Sequence, residues 1–414
     1  MKDLPFFTLD DFDMKGKTVF LRVDINSPVD PKTSTILDDS RFKAHMETIN
    51  ELRNSKLVIM AHQSRPGKRD FTSLKIHAEH LSGLLKRKVK FLPGLFEDMI
   101  LEEIDRANYG DILLLENTRF YSEEVVLAEE KMDVIKQTHI VRNLSRHMDY
   151  FVNDAFAAAH RPNVTLIGFT EVIPNIAGRL MEREIRGVET FFGMKMKPRV
   201  GVFGGAKADD SIKIIKRMLN DDKLDYILTG GLVGHLFLMA SGKEIGQKNM
   251  DVMVKEIPEL DKMVKQSAEI ISKYGDKVML PTDFIGSENS KPVYFKKDNF
   301  RKDIPAMDIG IDTIATYASL LNKSKAIILN GPMGVFELNE FATGTREIFS
   351  AIADSAAYKI AGGGHTNAAL EKMGLAHKID HLSTGGGALI SYLAGEPMPA
   401  IESLINSKKK FGEN

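Results

Sequence analysis

The chain has 414 residues, of which 43% are hydrophobic, 27% charged and 8% aromatic; this excludes wholesale disorder or fibrous structure and favours two domains over one. Lys and Arg number 56 against 57 Asp and Glu, so a net charge of -1 gives no global pull toward nucleic acid or an anionic membrane. With 0 Cys there is no disulfide, thiolate nucleophile or Cys-ligated metal cluster.

The opening segment MKDLPFFTLDDFDMKGKT carries acidic residues where a signal peptide needs an apolar core. No apolar run approaches the ~20 residues that cross a bilayer, so a cytoplasmic protein is expected. TVFLRVDINSP (18–28) is the first of several short, unalternating apolar runs and reads as a strand buried on both faces. It ends in Arg22, Asp24 and Asn26, which period two places on one face. A helix is predicted over 41–54, where Phe42, Met46, Ile49 and Leu52 fall at helical spacing. Arg41 stands at its start, with Asp38, Asp39 or Ser40 as cap. Three further runs follow: KLVIMAHQSRP (56–66) closes on His62 and Arg65, DILLLENTRF (111–120) on Arg119, and YFVNDAF (150–156) leads to His160 and Arg161. Pro174 and Gly178 then break the pattern, and RLMEREIRGVETFFG (179–193) reads as a helix joining two halves.

In the second half the runs are RVGVFGGAK (199–207), DYILTGG (225–231), KVMLPTDF (277–284), AIILNGPMG (326–334), YKIAGGGHT (358–366) and HLSTGGG (381–387). Lys207 follows Gly204 and Gly205. NGPMGVFE contributes Asn330 and Glu337. Gly363 and Gly364 precede His365 and Thr366, where Thr366 or Asn367 is the expected helix cap. The last residues, SKKKFGEN (407–414), read as a frayed, solvated end.

Strands alternating with helices predict an α/β fold: two Rossmann-like three-layer domains with parallel sheets. The expected division is 1–178, a hinge helix over 179–195, 196–398, and a C-terminal tail over 399–414. Ligands of such sheets sit beyond the carboxyl ends of the strands, so the residues there describe the ligand. Of 32 Gly, 9 lie in 1–195 and 23 in 196–414; of 18 Arg, 14 lie in the first part and 4 in the second. Arg and His side chains suit a small, highly charged anion. Glycine loops opening into helices suit a nucleotide's phosphates. A donor and an acceptor of a phosphoryl group would thus occupy different halves. The glycines and arginines also serve as turn and surface residues, a reading that explains their clustering at strand ends less well.

GxxxxGK[ST], H-E-x-x-H and G-x-S-x-G are all absent, which argues against a P-loop, this zinc site and a serine hydrolase. An NAD-dependent dehydrogenase would need G-x-G-x-x-G after an early strand, and that arrangement is not found either.

Together the segments RVDINSP, DDSRFKAHMETI, HQSRPG, LLENTRF, VNDAFAAAHR, GGAK, LPTDF, DIG, NGPMGVFE, GGGHT and STGGGA resemble the phosphoglycerate kinase family, in the family's order from about residue 19 to 405. The resemblance implies reversible phosphoryl transfer between 1,3-bisphosphoglycerate with ADP and 3-phosphoglycerate with ATP, by closure of two domains. It implies that Asp24 and Asn26 hold the glycerate and that Arg41, His62, Arg65, Arg119 and Arg161 surround its phosphate and carboxylate. Lys207 would touch the transferring phosphoryl group. Asn330, Gly363, Gly364, His365 and Thr366 would lie at the nucleotide phosphates, and Glu337 at the ribose. Arg41 and Lys207 are the expected catalytic pair. Mg2+ would accompany ADP or ATP, and the implied assembly is a monomer or homodimer with no nucleic-acid or membrane partner.

Two departures stand out. Ser211 occupies the position of a second lysine, with Lys213 two residues further on, and His365 replaces an aspartate that usually helps to hold magnesium. Magnesium prefers oxygen ligands, which leaves its protein ligands open, with Asp209 or Asp210 as candidates. These changes, and Leu329 before NGP, resemble the archaeal branch. They also keep open a silent relative that binds nucleotide without turnover.

Overall fold

A computed structural model describes residues 4–412. The chain divides into two compact units. One runs to Ile185 and takes up the chain again from Pro397; the other is Arg186–Glu396. The helix Arg179–Gly193 carries the chain from the first to the second.

The first unit is built on a 7-stranded sheet in which Thr18–Arg22 lies between Tyr150–Asn153 and Lys56–Met60. Ile112–Leu114 and Val89–Phe91 extend it on one side, Asn175–Ala177 and Phe7–Thr8 on the other, and every pairing is parallel. Alternate residues feed two cores. Val19, Leu21, Leu57 and Ile59 enter one; Phe20, Val58 and Met60 enter the other. That is why the runs do not alternate in polarity: both faces are covered.

The single helix expected over 41–54 is two short ones, Ser40–Ala44 and Met46–Glu51. The break falls at His45, whose buried ring is held by Asp154 Oδ2 at 2.7 Å and accepts from Asp24 N at 3.0 Å. Phe42, Ile49 and Leu52 are buried as the spacing required, and Met46 packs beside them. No side chain caps the first helix at Asp39; Asp38 Oδ1 instead accepts from Ser40 N at 2.7 Å.

The expected frayed end is ordered as far as it is described. Pro399–Phe411 is a helix packed on the last two strands of the first unit's sheet, Asn175–Ala177 and the edge strand Phe7–Thr8. Asn175 donates through Nδ2 to Ser403 Oγ and through its backbone N–H to Ser407 Oγ, each at 2.8 Å. Ser407, which looks solvated in the sequence, therefore satisfies a strand's backbone N–H. Glu413 and Asn414 lie outside the described residues.

The second unit has a 6-stranded parallel sheet with Arg199–Phe203 and Ala326–Asn330 at its centre. Tyr226–Thr229 and Val278–Met279 lie on one side, Tyr358–Ala361 and His381–Leu382 on the other. The run KVMLPTDF splits between this sheet and an antiparallel one made of Asp283–Glu288, Lys291–Lys296 and Ala306–Ile309. Asn289 and Ser290, both at positive φ (51° and 63°), turn its hairpin. Among the described residues no helix is long and apolar enough to cross a membrane.

The chain order reverses between the two central strands, the place where such sheets open a crevice. There the loops after Phe203 and Asn330 cross. Gly204 N donates to Asn330 O at 2.9 Å and Gly205 N to Pro332 O at 2.7 Å. Gly331 has φ +97°, and a Cβ on it would strike Gly204 O. Gly331→Ala is expected to cost at least about 2 kcal/mol of the second unit's stability. A urea melt read from that unit checks this; an unchanged midpoint would contradict it.

Candidate active site

In the first unit the polar groups gather where the strands end. Arg22, only 1% exposed, donates from Nε to Thr165 Oγ1 at 2.9 Å and from Nη1 to Val23 O at 2.6 Å. Its Nη2 lies 3.1 Å from His62 Nδ1 and 3.7 Å from Glu124 Oε1. Since a guanidinium only donates, His62 Nδ1 accepts and its proton sits on Nε2. That Nε2 is buried with no partner, a donor waiting for an acceptor.

Arg41 Nη1 pairs with Asp24 Oδ1 at 2.8 Å and remains partly exposed. Asn26 N donates to Asp24 Oδ1 at 3.1 Å, and Asn26 Oδ1 accepts from Ser64 N at 2.8 Å. Arg119 Nη1 donates to Ser64 O. These bonds tie the loops after three strands into one surface.

Its electrostatics are lopsided. Burial, with the nearby Arg161 and Arg22 charges, lowers Arg119 to about 10. Burial also raises Glu124 against the pull of Arg22 and its bonds from Thr165 and Thr118. Burial opposes ionisation of Asp24, yet its neighbours His62, Arg41, Arg22 and the Asn26 N–H hold its carboxyl well below the usual range. His62 is itself neutral, because burial and the surrounding arginines hold it well below its usual value against Asp24. Arg41, the Asn26 N–H and Arg22 therefore carry the stabilisation of Asp24. Arg22 pairs with Glu124 and Arg41 with Asp24, while Arg119 and Arg161 have no ion-pair partner among the described residues and leave positive charge for an anion. Arg65 is exposed beside Ser64.

In the second unit two clefts meet at the loop crossing. The smaller, about 170 Å³, is lined by Lys207, Asn330, Gly363, Gly364, His365 and Thr366 among others. The glycine loops do not all offer free N–H groups. Those of Gly204, Gly205 and Gly231 bond to carbonyls of neighbouring loops, and Gly331 N donates to Thr366 Oγ1 at 2.8 Å. Neither Thr366 nor Asn367 caps the helix Gly364–Lys372, whose N-cap is Gly363; Asn367 Nδ2 donates instead to Ser383 O. The first turn of that helix thus keeps its orphan donors and positive dipole end for an anion. Lys207 is exposed at the N-cap of Ala208–Asn220.

The larger cleft, about 290 Å³, shares Gly205, Ala206, Pro332 and His365 with the smaller. Val252, Phe284, Met307 and Val335 make it largely apolar, and Glu337 is on its wall. An anion-binding end, a carboxylate and an apolar slot follow one another as phosphates, ribose and base do.

No carboxylate lines the smaller cleft, and among the described residues no group of three or more His, Asp or Glu could hold a metal. Asp209 and Asp210 are not on its wall. Burial and Asp209 raise Asp210. Thr366 Oγ1 already accepts a bond, so this lining does not fit a protein-held magnesium. Ser211 is buried and bonds Lys207 O; Lys213 pairs with Glu396 at 3.0 Å and leaves the missing lysine unreplaced.

All expected site residues therefore fall in two places, Arg65 most loosely. Sequence reasoning missed His45, Asp154 and Glu124. Arg41 and His45 stand four apart, a helical spacing that pointed to a shared face. Glu124 carries no such signal, because Glu123 and Glu124 look like two surface acids.

Three buried histidines govern acid stability. His62 is held well below its usual value, and burial brings His77 and His235 to about 4 each. In the unfolded chain each binds a proton near pH 6.5 while the folded site does not. Their contribution is therefore complete above that pH and falls as pH drops below it, by about 2 kcal/mol each for His77 and His235 at pH 5. Asp308, which burial raises to about 7, acts in the opposite sense over the same range, so the histidine effect is read as a difference. In denaturant melts from pH 7.5 to 5, His77→Gln should lose less stability, or gain more, than wild type; an identical pH dependence in the two would contradict this.

Comparison with known proteins agrees with this geometry. A family model described as phosphoglycerate kinase matches residues 9–396. Phosphoglycerate kinases of Thermoplasma volcanium and Thermoplasma acidophilum are 48% and 49% identical, each alignment covering 98% of this chain and 99% of the relative. The crystal structure of the enzyme from Pyrococcus horikoshii superposes with a TM-score of 0.87 at 41% identity, covering 98% of this chain and 100% of that one. The structure from Coxiella burnetii gives 0.82 at 31% identity, covering 97% and 99%. The chain belongs to the phosphoglycerate kinase family.

Proposed function

We propose that the first unit binds 3-phosphoglycerate or 1,3-bisphosphoglycerate at its arginine cluster and the second binds ADP or ATP in its paired clefts. The observation that carries this is the contrast between them: excess guanidinium charge at the strand ends of one, and a small cleft opening into an apolar slot in the other. The chain is a kinase whose acceptor is a carboxyl group, and the reaction is reversible.

The acceptor carboxylate attacks the terminal phosphorus of ATP, forming the acyl–phosphate bond as the bond to ADP breaks. A carboxylate is already ionised, so no protein base is required, and neutral His62 is a donor to the bound anion. Phosphoryl transfer asks chiefly for alignment and charge neutralisation. Arg41 on the acceptor side and Lys207 on the nucleotide side supply charge to the transferring group, while Asp24 keeps Arg41 in place. Asp24 and Asn26 orient the glycerate, Arg119 and Arg161 its anionic groups, and Glu337 the ribose hydroxyls. Arg65, exposed at the rim, draws the anion in. No side chain of the smaller cleft is placed to hold Mg2+, which would come bound to the nucleotide phosphates and supply charge screening there. We assign the bending that brings donor to acceptor to the helix Arg179–Gly193.

ATP consumption with 3-phosphoglycerate, coupled to a dehydrogenase that reduces the acyl phosphate, tests the reading. Arg41→Ala and Lys207→Ala should each lower kcat by about 100-fold or more. Glu337→Gln should raise KM for ATP with kcat nearly unchanged. Full turnover in Arg41→Ala would remove it from the catalytic pair. Nucleotide binding by folded wild type without turnover would instead mark a silent relative.

A further inference from the structure

His235 takes no part in the proposed phosphoryl transfer. It lies in the helix Gly231–Ala240, is 5% exposed, and forms part of the wall of the larger cleft. Its neighbours are apolar: the ring lies 5.7 Å from that of Phe284 and 6.2 Å from that of Phe300. A histidine buried for structural reasons normally has a hydrogen bond. Here neither ring nitrogen has one among the described residues; Nδ1 is sealed from solvent, and Nε2 is not. Burial lowers the group to about 4, so at neutral pH the ring is uncharged and carries one donor and one acceptor.

An unpartnered polar group in an apolar slot costs stability unless something completes it. Glu337 shares this wall with Glu256 and with Asp308, whose carboxyl burial raises to about 7, and the anion-binding end lies beyond the shared residues Gly205, Ala206, Pro332 and His365. What enters the slot must be flat, largely apolar, and polar along its edge. We propose that His235 is a base-recognising residue, its Nε2 exchanging a hydrogen bond with the edge of the purine of ADP or ATP. Phe284, its ring tilted 36° to that of His235, packs against it and keeps it in place. This rests on the nucleotide assignment above, and the inference adds which side chain reads the base.

The test compares ADP with ribose 5-diphosphate, which keeps the sugar and phosphates but lacks the base. Calorimetric Kd values are measured for the full-length wild type, His235→Leu and His235→Gln. In the wild type ADP binds more tightly than the abasic analogue. In His235→Leu this ratio should fall about tenfold through weaker ADP binding alone, with the analogue unchanged, and His235→Gln should recover part of it. A purely structural histidine would shift both ligands together, and an unchanged ratio would overturn the proposal. Wild type labelled with 15N-histidine gives a readout that needs no variant: the His235 Nε2 resonance should move with ADP and stay with ribose 5-diphosphate. No movement with ADP bound would also overturn it. Failure of wild type to bind either ligand would instead remove the nucleotide assignment itself, and the inference with it.

Discussion

A guanidinium fully buried at the end of a central strand is the constraint around which the first unit is arranged. Arg22 cannot shed its charge, and removing it from water costs several kcal/mol unless its donors are met. Thr165, the Val23 carbonyl, His62 and Glu124 meet them. Each of these partners is thereby placed. His62 is turned so that its Nδ1 accepts and its Nε2–H is left over. Glu124 is drawn inside despite burial. Asp24, two residues on, stays ionised and holds Arg41. The arginine thus preorganises the surface on which an anion completes the remaining bonds.

The second unit meets a different constraint by a different means. Two loops must cross between the central strands of a parallel sheet, and side chains would keep them apart. Glycine at 204, 205 and 331 lets backbone bond to backbone. The crossing uses up N–H groups that a glycine-rich loop is commonly expected to offer to phosphate. It leaves the uncapped start of Gly364–Lys372 as the donor end, beside Lys207, and opens the slot that reaches Glu337 and His235.

Much of this was legible in the sequence. Each of the apolar runs holds a strand, because a strand covered on both faces has nowhere to place a polar residue until it ends. For the same reason the polar residues at the ends identify the site. Short strands such as Phe7–Thr8 and Asn175–Ala177 were not legible, being too brief to carry a period. The break at His45 depends on Asp154, 109 residues away in the chain, and no local pattern encodes it. Ser407 reads as solvated until its bond from the Asn175 N–H is known. Glu124 looks like a surface acid beside Glu123, and only the buried Arg22 explains it. What escaped was set by partners distant in sequence.

The central claim is that acceptor and nucleotide are bound by different units at the ends of their strands. Hydrogen–deuterium exchange on the full chain, with 3-phosphoglycerate alone and ADP alone, tests it most directly. The acid should slow exchange in the segments around Asp24 to Asn26, His62 to Arg65 and Arg119, leaving the second unit's loops unaffected. ADP should slow it around Gly363 to Thr366 and Met333 to Glu337, leaving the arginine cluster unaffected. Protection of the same segments by both ligands, or an exchanged pattern, would contradict the account.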